Sequence, residues 1–294
     1  MAGCGSGPLR CRKTHTGLNS TILVLIEGHD EHKPVVRGLG AESLGGPHLA
    51  HRAAIGPNSD VIVVTSGVGP QRAGRVTADC IRRFDPCLVV SAGTCGALIA
   101  GLELSDWLVT GTVRSLGPAG DSGRAAGMTL ESSAVAEISR LRSVMGTVPR
   151  IHHGMLVTVS DQPVVGEVEK AAIARRHDAV AVDMESFGIA EAAAACGIPW
   201  LIARVVVDTP SRPLPELGAM NSQSGRPPLG GIARYLLMNP IGGPRTLYSL
   251  WALVNEYART LVRVLPALFT DRSPPALADT NGTHRVDAGA LAHQ

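Results

Sequence analysis

The sequence predicts an α/β fold: a single domain with a central mixed, largely parallel sheet flanked by helices, followed by a helical C-terminal extension. Short apolar runs alternate with stretches of helical periodicity, which is the pattern of strands joined by crossover helices. Aromatic residues make up only 3% of the 294 residues, and this suits small side chains packed closely on a buried sheet. A hydrophobic content of 45% allows a sizeable core.

The apolar runs predict seven strands in chain order. They cover residues 22–26, 61–65, 88–90, 107–112, 155–160, 180–183 and 200–207. One helix is predicted from Pro70 to about Arg83, because proline suits the first turn of a helix. Another covers residues 185–196 and ends before Gly197. Since ligands of such sheets bind beyond the carboxyl ends of the strands, the turns there are the predicted place for chemistry.

The chain divides into four predicted segments. Residues 1–20 form a flexible N-terminal extension, and residues 21–210 form the main domain. Residues 211–271 add a loop and a helical extension that complete this domain, and residues 272–294 form a disordered tail. The helical extension carries an apolar stripe made of Leu247, Leu250, Trp251, Val254, Tyr257, Leu261 and Leu265.

The composition argues against one class of partner and indicates the cellular compartment. The net charge of +2, without a basic block, argues against a nucleic-acid partner. Six cysteines without CxxC or zinc spacing indicate reduced thiols in a cytoplasmic protein. A secretory leader and an apolar run of about 20 residues are both missing, so no membrane span is predicted. The sequence shows no motif for a metal or an organic cofactor, and none is expected.

Two acidic motifs carry the most chemical information. Residues 182–186 are VDMES and residues 204–208 are RVVVD, so acids stand where predicted strands end. Buried carboxylates are unfavourable without bonded partners, which points to a site. Taken alone, the spacing equally allows Asp183 and Glu185 to stabilise a helix N-terminus and Asp208 to be a turn residue.

VDMES and RVVVD follow TSGVGP at residues 65–70 and SAGTCGAL at residues 91–98. These four motifs, in this order, resemble the methylthioadenosine/S-adenosylhomocysteine nucleosidases and their relatives in the purine nucleoside phosphorylase superfamily. The resemblance spans roughly residues 22–210. It implies an α/β enzyme, usually a homo-oligomer, that cleaves the N-glycosidic bond of an adenine nucleoside with water or phosphate as the second substrate.

The resemblance implies roles for the acidic motifs. Glu185 should hydrogen-bond the ribose hydroxyls, Met184 should pack against the sugar beside Asp183, and Asp208 should serve purine N7. The chemistry is consistent with these roles, because a carboxylic acid at N7 neutralises the departing base. Asp208 must then hold a proton, which requires a raised pKa, whereas a carboxylate that accepts two hydroxyls, as Glu185 would, must be ionised.

The resemblance also places Gly93, Thr94, Cys95 and Gly96 in a loop beside the sugar and the base. Glycines there allow the backbone to approach the ligand, and the Thr94 hydroxyl could hold the attacking water or an anion oxygen. Cys95 is predicted to be a packing residue, since no histidine partners it in a recognisable motif. An ordinary strand-to-helix turn is the alternative interpretation of this segment.

The sequence favours water over phosphate as the nucleophile. Many phosphorylase relatives carry a phosphate-binding arginine where this chain has Ser91. Gly67 lies at a predicted helix start that could still hold an anion, with Arg72 nearby, so phosphate is disfavoured rather than excluded.

The residue that activates the water has three candidates. The resemblance implies a glutamate just after the first strand, and Glu31 matches best by spacing, with Asp30 and Glu27 as alternatives. Where the family stacks an aromatic side chain on the base, this chain has Val164 and Val165.

The C-terminal part bears on the 5′ substituent. RPLPELG at residues 212–218 and the segment of residues 224–268 resemble the extension of hopanoid-associated phosphorylases. That resemblance implies release of adenine from adenosylhopane to give ribosylhopane, with peripheral contact at the inner membrane face. An apolar stripe flanked by arginines suits a lipid surface, and a core-packing helix is the alternative. Two other functions stay open: a nucleosidase of methylthioadenosine salvage and a non-catalytic nucleoside sensor.

Overall fold

A computed structural model describes residues 20–56, 58–117, 127–145, 150–160, 162–212, 236–240 and 242–268. The strands are β1 (Ser20–Ile26), β2 (Glu42–Ser43), β3 (Ala50–Gly56), β4 (Ser59–Thr65), β5 (Leu88–Ala97), β6 (Trp107–Thr110), β7 (Thr112–Leu116), β8 (Thr129–Glu131), β9 (Ile151–His152), β10 (Met155–Val159), β11 (Ala179–Asp183) and β12 (Trp200–Asp208). The helices are α1 (His29–Leu39), α2 (Pro70–Phe84), α3 (Val135–Val144), α4 (Glu167–His177), α5 (Ser186–Ala195) and α6 (Gly243–Val264), which continues into a 3₁₀ turn (Leu265–Leu268).

The strands form one mixed sheet with β5 near its centre. The main path runs β2-β3-β4-β1-β5-β11-β10-β7-β8, and β12 leaves this path by pairing with β5 and β6. β5 lies parallel to β1 and to β12, and its last residues pair antiparallel with β11. The predicted α/β fold, with its central mixed sheet, flanking helices and C-terminal helix, is therefore confirmed.

Alternation along the strands builds a core on each face of the sheet. In β1, Ile22, Val24 and Ile26 pack with one cluster, while Leu23 and Leu25 pack with the other. Helices α1, α3 and α6 cover the first cluster, and α2 and α5 cover the second. Each fully buried aliphatic side chain contributes about 1.5–3 kcal/mol, so these two layers fix the positions of the strand ends.

The structure corrects two predictions about the strands. The segment Gly93–Gly96 is neither the predicted loop nor a strand-to-helix turn, because β5 continues to Ala97 through its pairing with β12 and then β11. The predicted strand of residues 107–112 is divided at Gly111: β6 pairs antiparallel with β12, whereas β7 pairs parallel with β10. Neither change could be predicted, because a glycine-rich segment and a continuous apolar run both lack a periodicity that marks where a strand continues, bends or ends.

The apolar stripe of α6 is buried only in its second half. Tyr257 and Leu261 join the core, and Tyr257 stacks on Trp107 with ring centroids 5.4 Å apart. Earlier in the helix, Trp251 is 62% exposed and its neighbour Tyr248 is 67% exposed. The core-packing alternative therefore holds for Tyr257 and Leu261 but not for Trp251.

The predicted segments at residues 1–19 and 272–294, and most of the loop after residue 212, lie outside the described residues. Of the helices that the structure describes, none has the length and the apolar character to cross a bilayer.

Candidate active site

Polar side chains converge where β1, β4, β5, β11 and β12 end or bend. Glu27 follows β1, Gly67 follows β4, Glu185 follows β11 and Asp208 closes β12. Thr94 lies in the second half of β5, opposite Val205 of β12. The sheet thus brings five distant parts of the chain to one edge, as the predicted ligand position requires.

Arg204 is the cation at the centre of this group. Its side chain is only 1% exposed, and it donates hydrogen bonds to Ser91 Oγ at 3.0 Å, Ser186 Oγ at 3.1 Å and the Thr94 carbonyl at 3.3 Å. Nη2 also lies 2.8 Å from Asp183 Oδ2. Burial lowers the pKa of Arg204, but the surrounding carboxylates raise it by a larger amount, so the net pKa lies above the usual value. The guanidinium therefore stays charged.

Asp183 is fixed by groups of the protein itself. Its carboxylate accepts hydrogen bonds from Thr158 Oγ1 at 2.7 Å and from the backbone N–H of Ser186 at 3.1 Å, in addition to pairing with Arg204. These contacts orient Arg204 and the start of α5. Asp183 therefore lies in the wall behind the site, and its predicted contact with substrate stays a prediction.

Glu185 presents one bonded and one unbonded oxygen. Oε1 accepts a hydrogen bond from the Gly69 backbone N–H at 3.0 Å. Oε2 is buried without a hydrogen-bond partner among the described residues and lies 4.0 Å from Arg204. Burial, with Glu27 and Asp183 nearby, raises the pKa of Glu185 well above its usual value. An unsatisfied buried oxygen of this kind is suited to a ligand hydroxyl.

Glu27 and Glu185 form a pair of buried carboxyl groups. Burial raises the pKa of both groups although Arg204 opposes this, and the charge of Glu27 raises the pKa of Glu185 further. Two neighbouring carboxyl groups repel each other when both are charged, which favours the protonated form of one of them. Burial and the neighbouring carboxyl group therefore oppose the ionisation of Glu185 that its predicted role requires.

Glu31 lies in the first turn of α1 and is held by β5. Thr94 Oγ1 donates a hydrogen bond to Oε1 at 2.9 Å, while Oε2 is buried without a partner among the described residues. Burial and the neighbouring Glu27 raise the pKa of Glu31 to about 7, against the lowering effects of Arg204 and Thr94. A Cβ on Gly93 would stand 3.1 Å from Oε2 and would clash with Arg204, so glycine is needed there.

Asp208 is buried against two elements. Oδ2 is paired with the ammonium of Lys170 from α4, and Oδ1 lies against Gly96, where a Cβ would collide with it. Burial raises the pKa of Asp208 and Lys170 lowers it, with the net effect upward. The neighbouring Cys95 is fully buried, and burial raises the pKa of its thiol, so it packs rather than reacts.

Comparison with known proteins assigns this arrangement to a family. Residues 39–221 match the family model described as the phosphorylase superfamily. The chain belongs to the phosphorylase superfamily. The predicted superfamily and its class of enzyme are thereby confirmed.

The similar members of the superfamily are nucleosidases. The chain is 26% identical over 160 residues to the 5′-methylthioadenosine/S-adenosylhomocysteine nucleosidase of Staphylococcus haemolyticus, covering 51% of this chain and 69% of that protein. It is 29% identical over 163 residues to the nucleosidase of the same name from an Exiguobacterium species, covering 52% and 69%. Among solved structures, the Campylobacter jejuni nucleosidase of this name superposes with a TM-score of 0.66 at 14% identity, covering 85% of this chain and 98% of that one. The futalosine hydrolase of Helicobacter pylori superposes with a TM-score of 0.63 at 18% identity, covering 85% and 97%.

In this member of the phosphorylase superfamily, the other predicted site residues lie at different depths. Met184 is half-buried between Asp183 and Glu185. Val164 packs in a small core cluster with Val157 and Val182, whereas Val165 is 38% exposed. Gly67 has φ +73° and lies against the Arg72 side chain. Their contacts with substrate stay predictions.

The sequence did not predict Lys170 or the central position of Arg204. Arg204 carries one usable signal, since an arginine inside an apolar strand needs buried acceptors. Lys170 carries none, because GEVEK has the composition of a solvated first helical turn. Among the described residues, no group of three or more His, Cys, Asp or Glu side chains is placed to hold a metal ion.

Proposed function

We propose that the protein hydrolyses the N-glycosidic bond of an adenine nucleoside. One observation carries this proposal. Thr94 of β5 donates a hydrogen bond to Glu31, and Asp208 of β12 lies against Gly96, two residues further along β5. Two residues of a strand span about 7 Å, which leaves room for a sugar C1′ and its base between the two carboxyl groups. The nucleosidase names of the relatives support the same reaction.

In the proposed reaction, Asp208 gives its proton to purine N7 as the bond between C1′ and N9 breaks and its electrons pass to the base. Glu31 removes a proton from a water molecule, whose oxygen then bonds to C1′. Oε2 of Glu185, which has no hydrogen-bond partner among the described residues, accepts a hydrogen bond from a ribose hydroxyl. Each acid–base contribution is worth about 10²–10⁴-fold in rate.

Three contacts support water rather than phosphate as the nucleophile. The backbone N–H of Gly69 before α2, which could bind an anion, already donates to Glu185. Arg204 is paired with Asp183. Ser91, at the position of the arginine of phosphorylase relatives, accepts a hydrogen bond from Arg204 instead of offering a positive charge. An incoming phosphate would have to displace carboxylates from both donors.

For the 5′ substituent, we propose a lipid, with adenosylhopane as substrate and ribosylhopane as product. Support comes from four exposed apolar side chains in and before α6, which are Leu237, Met238, Tyr248 and Trp251. Exposed apolar groups near arginines such as Arg245 suit contact with an anionic membrane face. A cytoplasmic protein that rests on the membrane as a homo-oligomer is part of this proposal. Methylthioadenosine is the alternative, supported by the names of the relatives.

Adenine release from adenosylhopane in vesicles and from methylthioadenosine in solution tests these assignments. We expect release from adenosylhopane in phosphate-free buffer, with no gain on adding phosphate. Replacing Tyr248 and Trp251 together by serine should lower the rate on the vesicles at least tenfold and leave the rate on methylthioadenosine unchanged. Release from methylthioadenosine alone would make this a salvage nucleosidase, dependence on phosphate would overturn hydrolysis, and no adenine from either would favour a sensor.

The pKa of Glu31 predicts the acidic side of the pH profile. Glu31 must be ionised to accept a proton, and its pKa is raised from 4.5 to about 7. We therefore expect kcat/KM to fall about tenfold per pH unit below 7 and to stay level just above it. Thr94→Val removes a hydrogen bond that lowers this pKa, so its acidic limb should move to higher pH. A limb near pH 4.5 in both proteins would exclude Glu31 as the base.

A further inference from the structure

Lys170 is a buried cation that the proposed reaction does not use. It lies in the first turn of α4, where its backbone N–H bonds to the Gly166 carbonyl, and its side chain is 0% exposed. Its ammonium is paired with Asp208 Oδ2. Lysine is almost never buried to this extent, and an apolar side chain of similar volume would often stabilise a protein as well or better. Packing therefore does not account for the charge.

Of the charged and titratable groups around Asp208, Lys170 is the one whose charge acts directly on its carboxyl group. β5 presents Cys95, whose thiol pKa is raised by burial, so it stays uncharged near neutral pH. β12 itself presents Arg204, whose charge is opposed by Asp183 at 2.8 Å. α4 presents Lys170, which is the cation in contact with Asp208 among the described residues. The balance at Asp208 is therefore between burial, which favours the proton, and Lys170, which opposes it.

We propose that Lys170 is a positioning residue that sets the protonation of Asp208 and thereby the pH range in which the base is released. The inference rests on the proposed role of Asp208 as the acid. The ion pair stabilises the carboxylate and orients it with Oδ1 toward Gly96. Asp208 takes a proton from solvent water, transfers it to N7 as the glycosidic bond breaks, and returns to the carboxylate that Lys170 stabilises.

This arrangement has two opposing effects on catalysis. The ammonium reduces the fraction of Asp208 that carries a proton, but it also makes the protonated acid stronger, because it stabilises the carboxylate left behind. Removing the charge should therefore extend activity to higher pH and lower the rate at the plateau. If the role of Lys170 were purely structural, removing its charge would change neither the shape of the pH profile nor the titration of Asp208.

The experiment compares Lys170→Met and Lys170→Gln, which both remove the charge, with Lys170→Arg, which keeps it. Two quantities are measured on the full-length protein from pH 5 to 10. One is kcat/KM for adenine release from methylthioadenosine or, if that is not cleaved, from adenosylhopane. The other is the ¹³Cγ shift of Asp208 in aspartate-labelled protein, identified by its loss in Asp208→Asn. The carbon titration does not depend on turnover.

We expect both neutral variants to raise the titration midpoint of Asp208 and the alkaline limb of kcat/KM by about one pH unit or more. Lys170→Arg should keep both close to the parent values. An unchanged carbon midpoint in whichever neutral variant folds overturns the inference. Full adenine release by Asp208→Asn would overturn the proposed acid instead. The two failures are therefore distinguishable, and thermal unfolding of each variant reports on folding separately.

Discussion

Asp208→Asn is expected to lower kcat for adenine release by about 10²–10⁴-fold while the protein stays folded. Asparagine keeps the shape of the side chain but has no proton to transfer to N7. Asp208 is buried, and burial raises its pKa against the effect of Lys170, which favours the protonated form that the transfer to N7 requires. The measurement is single-turnover release of adenine, with the circular dichroism spectrum as the check on folding.

Asp60→Asn is the matched control. Asp60 is also a buried, ion-paired aspartate of the sheet, but its partner is Arg52 and it lies near the start of β4, away from the strand ends that form the site. We expect nearly normal turnover in this variant. Comparable losses in both variants, or normal turnover in Asp208→Asn, would contradict the assignment of Asp208 as the acid.

Arg204→Met is expected to reduce the free energy of unfolding by about 3–5 kcal/mol. Methionine replaces the volume but leaves Asp183 and Glu185 buried without the cation that lies 2.8 Å and 4.0 Å from their oxygens. Ser91 and Ser186 lose their hydrogen-bond donor as well. Urea denaturation at neutral pH measures the loss as a shift of the midpoint at constant slope.

The control for this prediction is Arg52→Met. Arg52 also pairs with a buried aspartate, Asp60, but half of its own side chain is exposed, so solvent can compensate for its loss. We expect a change of about 1 kcal/mol or less. If Arg204→Met is equally mild, the carboxyl groups around Arg204 must be protonated and need no cation, and the electrostatic account of the site would have to be revised.

The buried central strands could be predicted from sequence because runs of Val, Ile and Leu record burial directly. β1, β4 and β12 extend the predicted runs by one or two residues. α1 and α4 were not predicted for different reasons. Pro34 lies inside α1, where proline is unfavourable, and the charged sequence of α4 has weak apolar periodicity. β5 was predicted too short for a related reason, since SAGTCGA lacks the β-branched side chains that mark strands.

The features of the candidate site likewise divide into those that the sequence shows and those that depend on contacts across the sheet. Acids at strand ends are visible in sequence, and the family resemblance selected Glu31 among three candidates. The structure distinguishes these three, because Thr94 donates a hydrogen bond to Glu31, Glu27 lies beside Glu185, and Asp30 is exposed. Pairings across the sheet are not visible in sequence. Lys170 and Asp208 are 38 positions apart, and nothing in either segment indicates that they meet.

The pairing of β12 with β5 has a consequence for how the protein acquires activity as it folds. Glu31 and Asp208 are separated by 177 positions, the difference between 208 and 31, and they come together only when β12 docks beside β5. A nascent chain that ends before β12 can already pair β1 with β4 and β5 and place Glu31 against Thr94. Such a chain lacks Asp208, the acid proposed to protonate the departing purine. Helix content should therefore return early in refolding and catalysis late, with the closure of this one long-range contact as the limiting event.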